Sequence, residues 1–321
     1  MDFDRAPFIV IWELTRACAL ACIHCRAEAI PHRDPRELTT AEGVGLIEAV
    51  SRFGRPAPLL VFTGGDPLRR ADVFDLVAAG TARGLRVALT PSGTAAARRE
   101  KIFLWSIFFL VPTGRGRKED GVSAQEYEEI LNDLVDLSRS VPFGIKTTEA
   151  PQYRRVVLER GRGIRRDGRR SAESREPRAA STQRVPEPTS PRTATRSGGA
   201  EGETRREFGF QTDAIGRAPK GVNDGNGFVF VDHVGNIAPS GFLPITAGNV
   251  RTDDLVEVYQ QHPIFQELRD AEKLRGKCGR CEYRTLCGGS RARAYAMIGD
   301  YLGGEPCCLY EPGASSQALE S

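Results

Sequence analysis

The chain has 321 residues and a mass of 35.1 kDa, with 40% hydrophobic residues and a formal net charge of +3. That length and apolar content allow a large buried core with room for a second small domain, and exclude a globally disordered chain. No long apolar run marks a membrane span, and the N-terminal MDFDRAPFIVIW lacks the basic, apolar and cleavage regions of a secretory signal, so the expected location is the cytoplasm.

The predicted elements begin as alternating strand and helix. FIVIWELT, residues 8 to 15, fits a buried strand, followed by a cysteine-bearing loop. Thr39-Thr40-Ala41-Glu42 supplies a capping box, and Val44, Ile47 and Val50 recur along one helical face. PLLVFTGG gives a second strand with a glycine turn, residues 71 to 79 its helix, and LRVALT, residues 85 to 90, a third strand ending at Pro91-Ser92-Gly93. A short helical piece at 94 to 101 runs directly into the apolar strand FLWSIFFLV. Ser123 to Glu126 opens a helix with an apolar stripe of Tyr127, Ile130, Leu131 and Leu134, and VPFGIKTTEA supplies a fifth strand before residue 151. The expected fold class is α/β, a partial and shortened (β/α)6 TIM-like barrel whose loops gather at the strand ends.

From Arg154 to Arg206 the composition changes to fifteen arginines, no lysine and seven acidic residues, a local charge of +8. Rich in Gly, Ser, Pro and Thr, this stretch reads as a solvated insertion or linker. Distributed arginines attract phosphates, but without aromatic interleaving, zinc-finger spacing or a recognition helix no specific nucleic-acid partner is predicted. Order resumes near Gly221, with two short strands joined at Val234-Gly235-Asn236 and a helical region from Leu255 to Leu268. The expected division is residues 1–153 as the core, 154–220 as the insertion, and 221–321 as a small C-terminal domain.

Eight cysteines in a cytoplasmic chain read first as metal ligands or catalytic groups rather than disulfides. Cys18-Ala-Leu-Ala-Cys22-Ile-His24-Cys25 is a C-x3-C-x2-C array. Three thiolates can hold three irons of a [4Fe-4S] cluster and leave the fourth open to a small ligand. Buried structural thiols, or a zinc site needing a fourth ligand, are the rival readings. Gly64-Gly65-Asp66-Pro67 follows the second strand. Its glycines permit close ligand approach, and Asp66 can meet an ammonium group or orient the loop. Cys278, Cys281, Cys287, Cys307 and Cys308 form a second group, readable as another cluster or as a structural zinc or iron site.

Together these residues resemble the radical S-adenosylmethionine (SAM) superfamily, whose hallmark is C-x3-C-x2-C followed by a glycine-rich motif. The resemblance implies that Cys18, Cys22 and Cys25 ligate the catalytic cluster. It places Gly64, Gly65, Asp66 and Pro67 at the methionine moiety of SAM, and His24 near its adenine. Reduction of the sulfonium then yields methionine and a 5′-deoxyadenosyl radical that removes hydrogen from a substrate. Asp66 stands where many relatives carry Glu. The terminal run from Cys278 to Tyr295 resembles the SPASM or twitch auxiliary-cluster domain, particularly that of alternative heme and heme d1 biosynthesis enzymes. That resemblance makes Cys278, Cys281, Cys287 and Cys308 a second ligand set, with Cys308 drawn from Pro306-Cys307-Cys308-Leu309-Tyr310-Glu311-Pro312 and Cys307 a spare thiol. Ser290 stands where tetrapyrrole enzymes often have Cys. Arg291, Arg293 and Tyr295 follow it; each reads either as a carboxylate contact or, more simply, as part of a solvated basic helix.

The resemblance spans residues 8 to 158 and 221 to 312, but the core between Pro91 and Phe103 is compressed, as though one or two units were absent. The expected function is radical modification of a peptide, tetrapyrrole or other biosynthetic substrate, fed by a reducing donor such as flavodoxin or ferredoxin. Its rival is an iron-sulfur binding or electron-transfer protein without turnover.

Overall fold

The computed structural model describes residues 2–92, 104–140, 144–167 and 221–313. The expected helical piece at 94 to 101 and most of the arginine-rich stretch lie outside these residues.

Strand β1 (Ile9–Thr15) is central: it pairs in parallel with β2 (Leu59–Gly64) on one side and β6 (Phe228–Val231) on the other. Strand β3 (Arg86–Leu89) continues the parallel sheet beyond β2. On the other edge β7 (Asn236–Ala238) forms the expected hairpin with β6, followed by β8 (Gly248–Asn249), giving the order β3-β2-β1-β6-β7-β8. The segment after residue 221 thus extends the same sheet as the N-terminal strands.

Alternation along β1 separates two environments. Val10, Trp12 and Leu14 are fully buried in the main core with Leu60, Phe62 and Val229, under α1 (Thr40–Ser51) and α2 (Val73–Ala82). Each such side chain contributes about 1.5–3 kcal/mol of burial. Gly43 lets α1 ride over the Trp12 ring, since a Cβ there would stand 2.5 Å from the indole. Glu13 and Thr15 lie on the opposite face, equally buried but polar. Thr39 and Glu42 form the expected capping box.

A second core surrounds the parallel pair β4 (Leu104–Phe108) and β5 (Gly144–Thr148), packed by α3 (Ala124–Ser140) and α4 (Tyr153–Asp167) through Phe109, Tyr127, Leu131, Val135 and Val156. Helix α4 enters the stretch expected as linker. Its apolar face, Val156 buried and Val157 partly so, anchors an otherwise basic segment. Among the described residues β3 and β4 do not pair with each other but lie in separate sheets, so the parallel order is interrupted where the sequence is compressed. The region expected as one helix after Leu255 is two, α5 (Leu255–Gln261) and α6 (Pro263–Arg269). They are broken where His262 caps the second and Pro263 occupies its first turn. Short helix α7 (Gly276–Arg280) and α8 (Arg291–Ile298) complete the C-terminal region.

Candidate functional site

The cysteine loop leaves the polar end of β1. Its base is closed by hydrogen bonds from Cys18 N to the Ile30 carbonyl and from Ile30 N to that of Arg16, both 2.9 Å. The Arg16 guanidinium donates to the Ala27 and Glu28 carbonyls at 2.7 and 2.6 Å. Within the loop Cys18 is buried, Cys25 half-buried and Cys22 exposed, and all three thiols are free. Cys18 Sγ accepts from Leu20 N and Cys25 Sγ from Ala29 N, both at 3.4 Å. N–H···S contacts of this kind stabilise a ligated thiolate.

The glycine turn sits directly against this loop. Gly65 N donates to the Thr15 carbonyl and Asp66 N to that of Ala17, both at 2.8 Å. A Cβ on Gly64, whose φ is +138°, would lie 2.1 Å from the Thr15 oxygen; one on Gly65 would lie 2.5 Å from that of Ala17. The glycines therefore serve backbone-to-backbone approach. Asp66 is buried, accepts from Leu68 N at 3.1 Å and from the Ser92 hydroxyl at 2.7 Å, and so orients the turn. Pro67 opens the short 3-10 turn that follows. His24 is exposed on the loop, 3.7 Å from Asp120.

Sequence reading missed what lies beneath the loop. Arg26, the residue after Cys25, donates to buried Glu13 at 2.6 Å and stacks over Phe230, 4.8 Å from its centroid. His233 Nδ1 lies 3.1 Å from the other Glu13 oxygen, and its Nε2 lies 3.5 Å from Asp34. Burial alone would raise the Glu13 pKa, but the His233 hydrogen bond and the Arg26 charge outweigh it and hold it below the usual range. Burial disfavours charged His233, yet the hydrogen bond and charge of Glu13 raise its pKa above 6.5. The only available signal was a glutamate in an otherwise apolar strand. Because the folded-state pKa of His233 is raised, its stabilising contribution is full below about pH 6.5 and fades as pH rises through the raised value. Wild-type protein is expected to lose more stability than His233→Gln between about pH 5.5 and about pH 8.5, read by urea denaturation.

The second cysteine group also gathers. Cys278, Cys281, Cys287 and Cys308 line one narrow cleft, with Gly288, Gly289 and Tyr310. Burial pushes the Cys287 thiol up to about 12 and Cys308 up to about 11, so a bound cation would have to displace their protons. Cys278 Sγ accepts from Glu305 N at 3.3 Å and faces the Arg291 guanidinium at 3.6 Å. A Cβ on Gly289 would lie 3.2 Å from that sulfur. The cleft thus offers four thiols, N–H donors and a glycine backbone, but among the described residues no group of three or more Cys, His, Asp or Glu side chains is already closed around a metal position, so a cluster here would have to draw the thiols together. Cys307 lines a separate, shallow cleft with Phe109, Leu110, Tyr127 and Met297 as walls and Arg117 and Lys118 among its lining.

Arg291 and Arg293 correct the expectation of a solvated basic helix: both are 2% exposed. Arg291 donates to the Tyr301 and Gly303 carbonyls, and Arg293 pairs with fully buried Glu305 at 3.4 Å. Tyr295 is exposed. Ser290 caps α8 and donates to Glu149 at 2.7 Å. Half-buried Glu149, at φ +58°, has its pKa pushed up to about 8 by desolvation and by neighbouring Asp224. No helix among the described residues is long and apolar enough to cross a membrane.

Comparison with known proteins agrees with this geometry. The Radical SAM superfamily model matches residues 12–104, from β1 through the cysteine loop and glycine turn into β4. An AdoMet-dependent heme synthase of Methanosarcina barkeri is 30% identical over 96% of this chain and 98% of its own length. That alignment runs over 386 positions, so the relative carries segments that this 321-residue chain lacks. A pre-heme d1 synthase of Dinoroseobacter shibae is 26% identical over 97% of this chain and 88% of its own. The crystal structure of Streptococcus suis SuiB bound to its precursor peptide SuiA shares the fold, with a TM-score of 0.56 and 12% identity over 95% of this chain and 76% of the other. The radical SAM family uses a [4Fe-4S] cluster and SAM, and by sequence and fold this chain belongs to that superfamily of enzymes.

Proposed function

We propose that this chain reductively cleaves SAM at a cluster held by Cys18, Cys22 and Cys25 and modifies a carboxylate-bearing tetrapyrrole. The observation that carries the reading is the pair of backbone hydrogen bonds from Gly65 and Asp66 to the Thr15 and Ala17 carbonyls, which join the glycine turn to the chain just before Cys18. Together, bound cluster and SAM supply a 5′-deoxyadenosyl radical. The residues of the chain do the rest. Thr15 and Ala17 fix the turn through their carbonyls, Asp66 holds it through Ser92 and Leu68, and Arg26 anchors the loop on Glu13.

Cys278, Cys281, Cys287 and Cys308 hold an auxiliary cluster that conducts or accepts an electron, and a small reducing protein of the flavodoxin or ferredoxin class feeds the first site. The cavity beside Cys307 combines apolar walls with Arg117 and Lys118, a chemistry suited to a flat apolar body bearing carboxylates. Near-full-length similarity to a heme synthase favours a tetrapyrrole over a peptide.

A second reading, an iron-sulfur protein without turnover, is favoured by the break between β3 and β4, which lie in separate sheets among the described residues. Anaerobic reconstitution separates the two. The enzyme binds about eight irons per chain, and SAM changes the spectrum of its reduced cluster. Iron binding with a spectrum indifferent to SAM supports the inactive protein.

A further inference from the structure

We propose that Arg115 is a positioning residue for the radical reaction, a clamp that fixes the cysteine loop from outside. It lies after β4, in a Gly114-Arg115-Gly116 run outside both cysteine motifs and the glycine turn. Its backbone N donates to the Cys25 carbonyl at 3.1 Å. Its guanidinium spreads over two further carbonyls, Nη1 on Cys22 at 3.1 Å and Nη2 on Ala29. One residue thus grips the loop beside Cys22, at Cys25 and near the loop's return to Ile30.

Gly114 makes the approach possible. Its φ is +58°, and a Cβ there would stand 2.4 Å from the Arg26 carbonyl and 2.7 Å from that of Cys25. The grip matters because Cys22 is exposed and the loop between Cys18 and Cys25 contains no helix or strand to hold it. A planar guanidinium can bridge two carbonyls; an ammonium cannot hold the same span. The clamp also joins the two halves of the fold, since Arg115 follows β4 of the second core whereas the cysteine loop follows β1 of the first.

The inference rests on the proposed function, so its test has an arm that needs no cofactor. In apo protein, amide hydrogen exchange at Cys18, Cys25, Glu28 and Ile30 is expected to rise about tenfold or more in Arg115→Ala and measurably in Arg115→Lys, without change in the main-core strands. In reconstituted protein, Arg115→Ala is expected to lower SAM cleavage about 10–100-fold, the effect typical of losing an outer-shell partner of a metal site. Exchange unchanged from wild type, or faster exchange with undiminished cleavage, overturns the proposal. If wild-type protein cleaves no SAM, the functional reading fails while the exchange result still decides whether Arg115 is a clamp.

Discussion

Cys22→Ala is expected to abolish reductive SAM cleavage, with a loss well beyond the roughly 100-fold that accompanies removal of an outer-shell partner. It is the cleanest of the three ligand substitutions because Cys22 is exposed, whereas Cys18 is buried and accepts a hydrogen bond from Leu20. A surface thiol removed without loss of packing should leave thermal stability of the apo protein within about 0.5 kcal/mol of wild type. Iron content should fall from about eight to about four per chain. Cys281→Ala should lower iron by the same amount while preserving the SAM-dependent spectrum of the first cluster. Retention of cleavage in Cys22→Ala would remove this thiol from the ligand set.

Arg293→Met is expected to cost about 3–5 kcal/mol of stability, because it leaves Glu305 charged and unneutralised in the interior. Arg293 also donates to the Leu110 carbonyl at 3.2 Å and the Glu149 carbonyl at 2.8 Å, and its guanidinium lies 5.1 Å from the Tyr127 ring centroid. The residue therefore ties the ends of β4 and β5 to α8 and to the loop carrying Cys307 and Cys308. Urea denaturation should show the loss, and iron in the auxiliary site should fall with it. Tyr295→Ala, on the exposed side of α8, should change stability by less than about 0.5 kcal/mol. A cost for Arg293→Met no larger than that control would mean that the Ser290 and Cys307 amides, which donate to Glu305 at 2.7 and 3.1 Å, hold it without the guanidinium.

Buried Arg293 and the arginine-rich stretch that α4 enters show what the sequence could and could not disclose. Strands β1 to β4 were legible as short, mainly apolar runs bounded by turn residues, β5 as the β-branched end of VPFGIKTTEA, and α1 and α3 because their capping boxes and stripes agree. The two cysteine groups were visible in the sequence through their spacing; in the structure Cys278, Cys281, Cys287 and Cys308 line one cleft and Cys307 lines another. Arg291 and Arg293 were misread because burial of a charge depends on partners distant in sequence, here Glu305 and the Tyr301 and Gly303 carbonyls. Arg26, Glu13 and His233 were missed for the same reason: the network joins residues up to 220 positions apart. Helix α4 escaped because a few valines on one face sufficed to anchor a segment whose composition resembles a linker.

The central claim is that a chain lacking segments its relatives carry still presents SAM to an open cluster. The decisive measurement is formation of 5′-deoxyadenosine by the anaerobically reconstituted wild-type protein, supplied with SAM and a strong reductant. The account predicts 5′-deoxyadenosine and methionine in equal amounts, dependent on reductant and absent in Cys22→Ala. A protein loaded with about eight irons that releases neither product would contradict it.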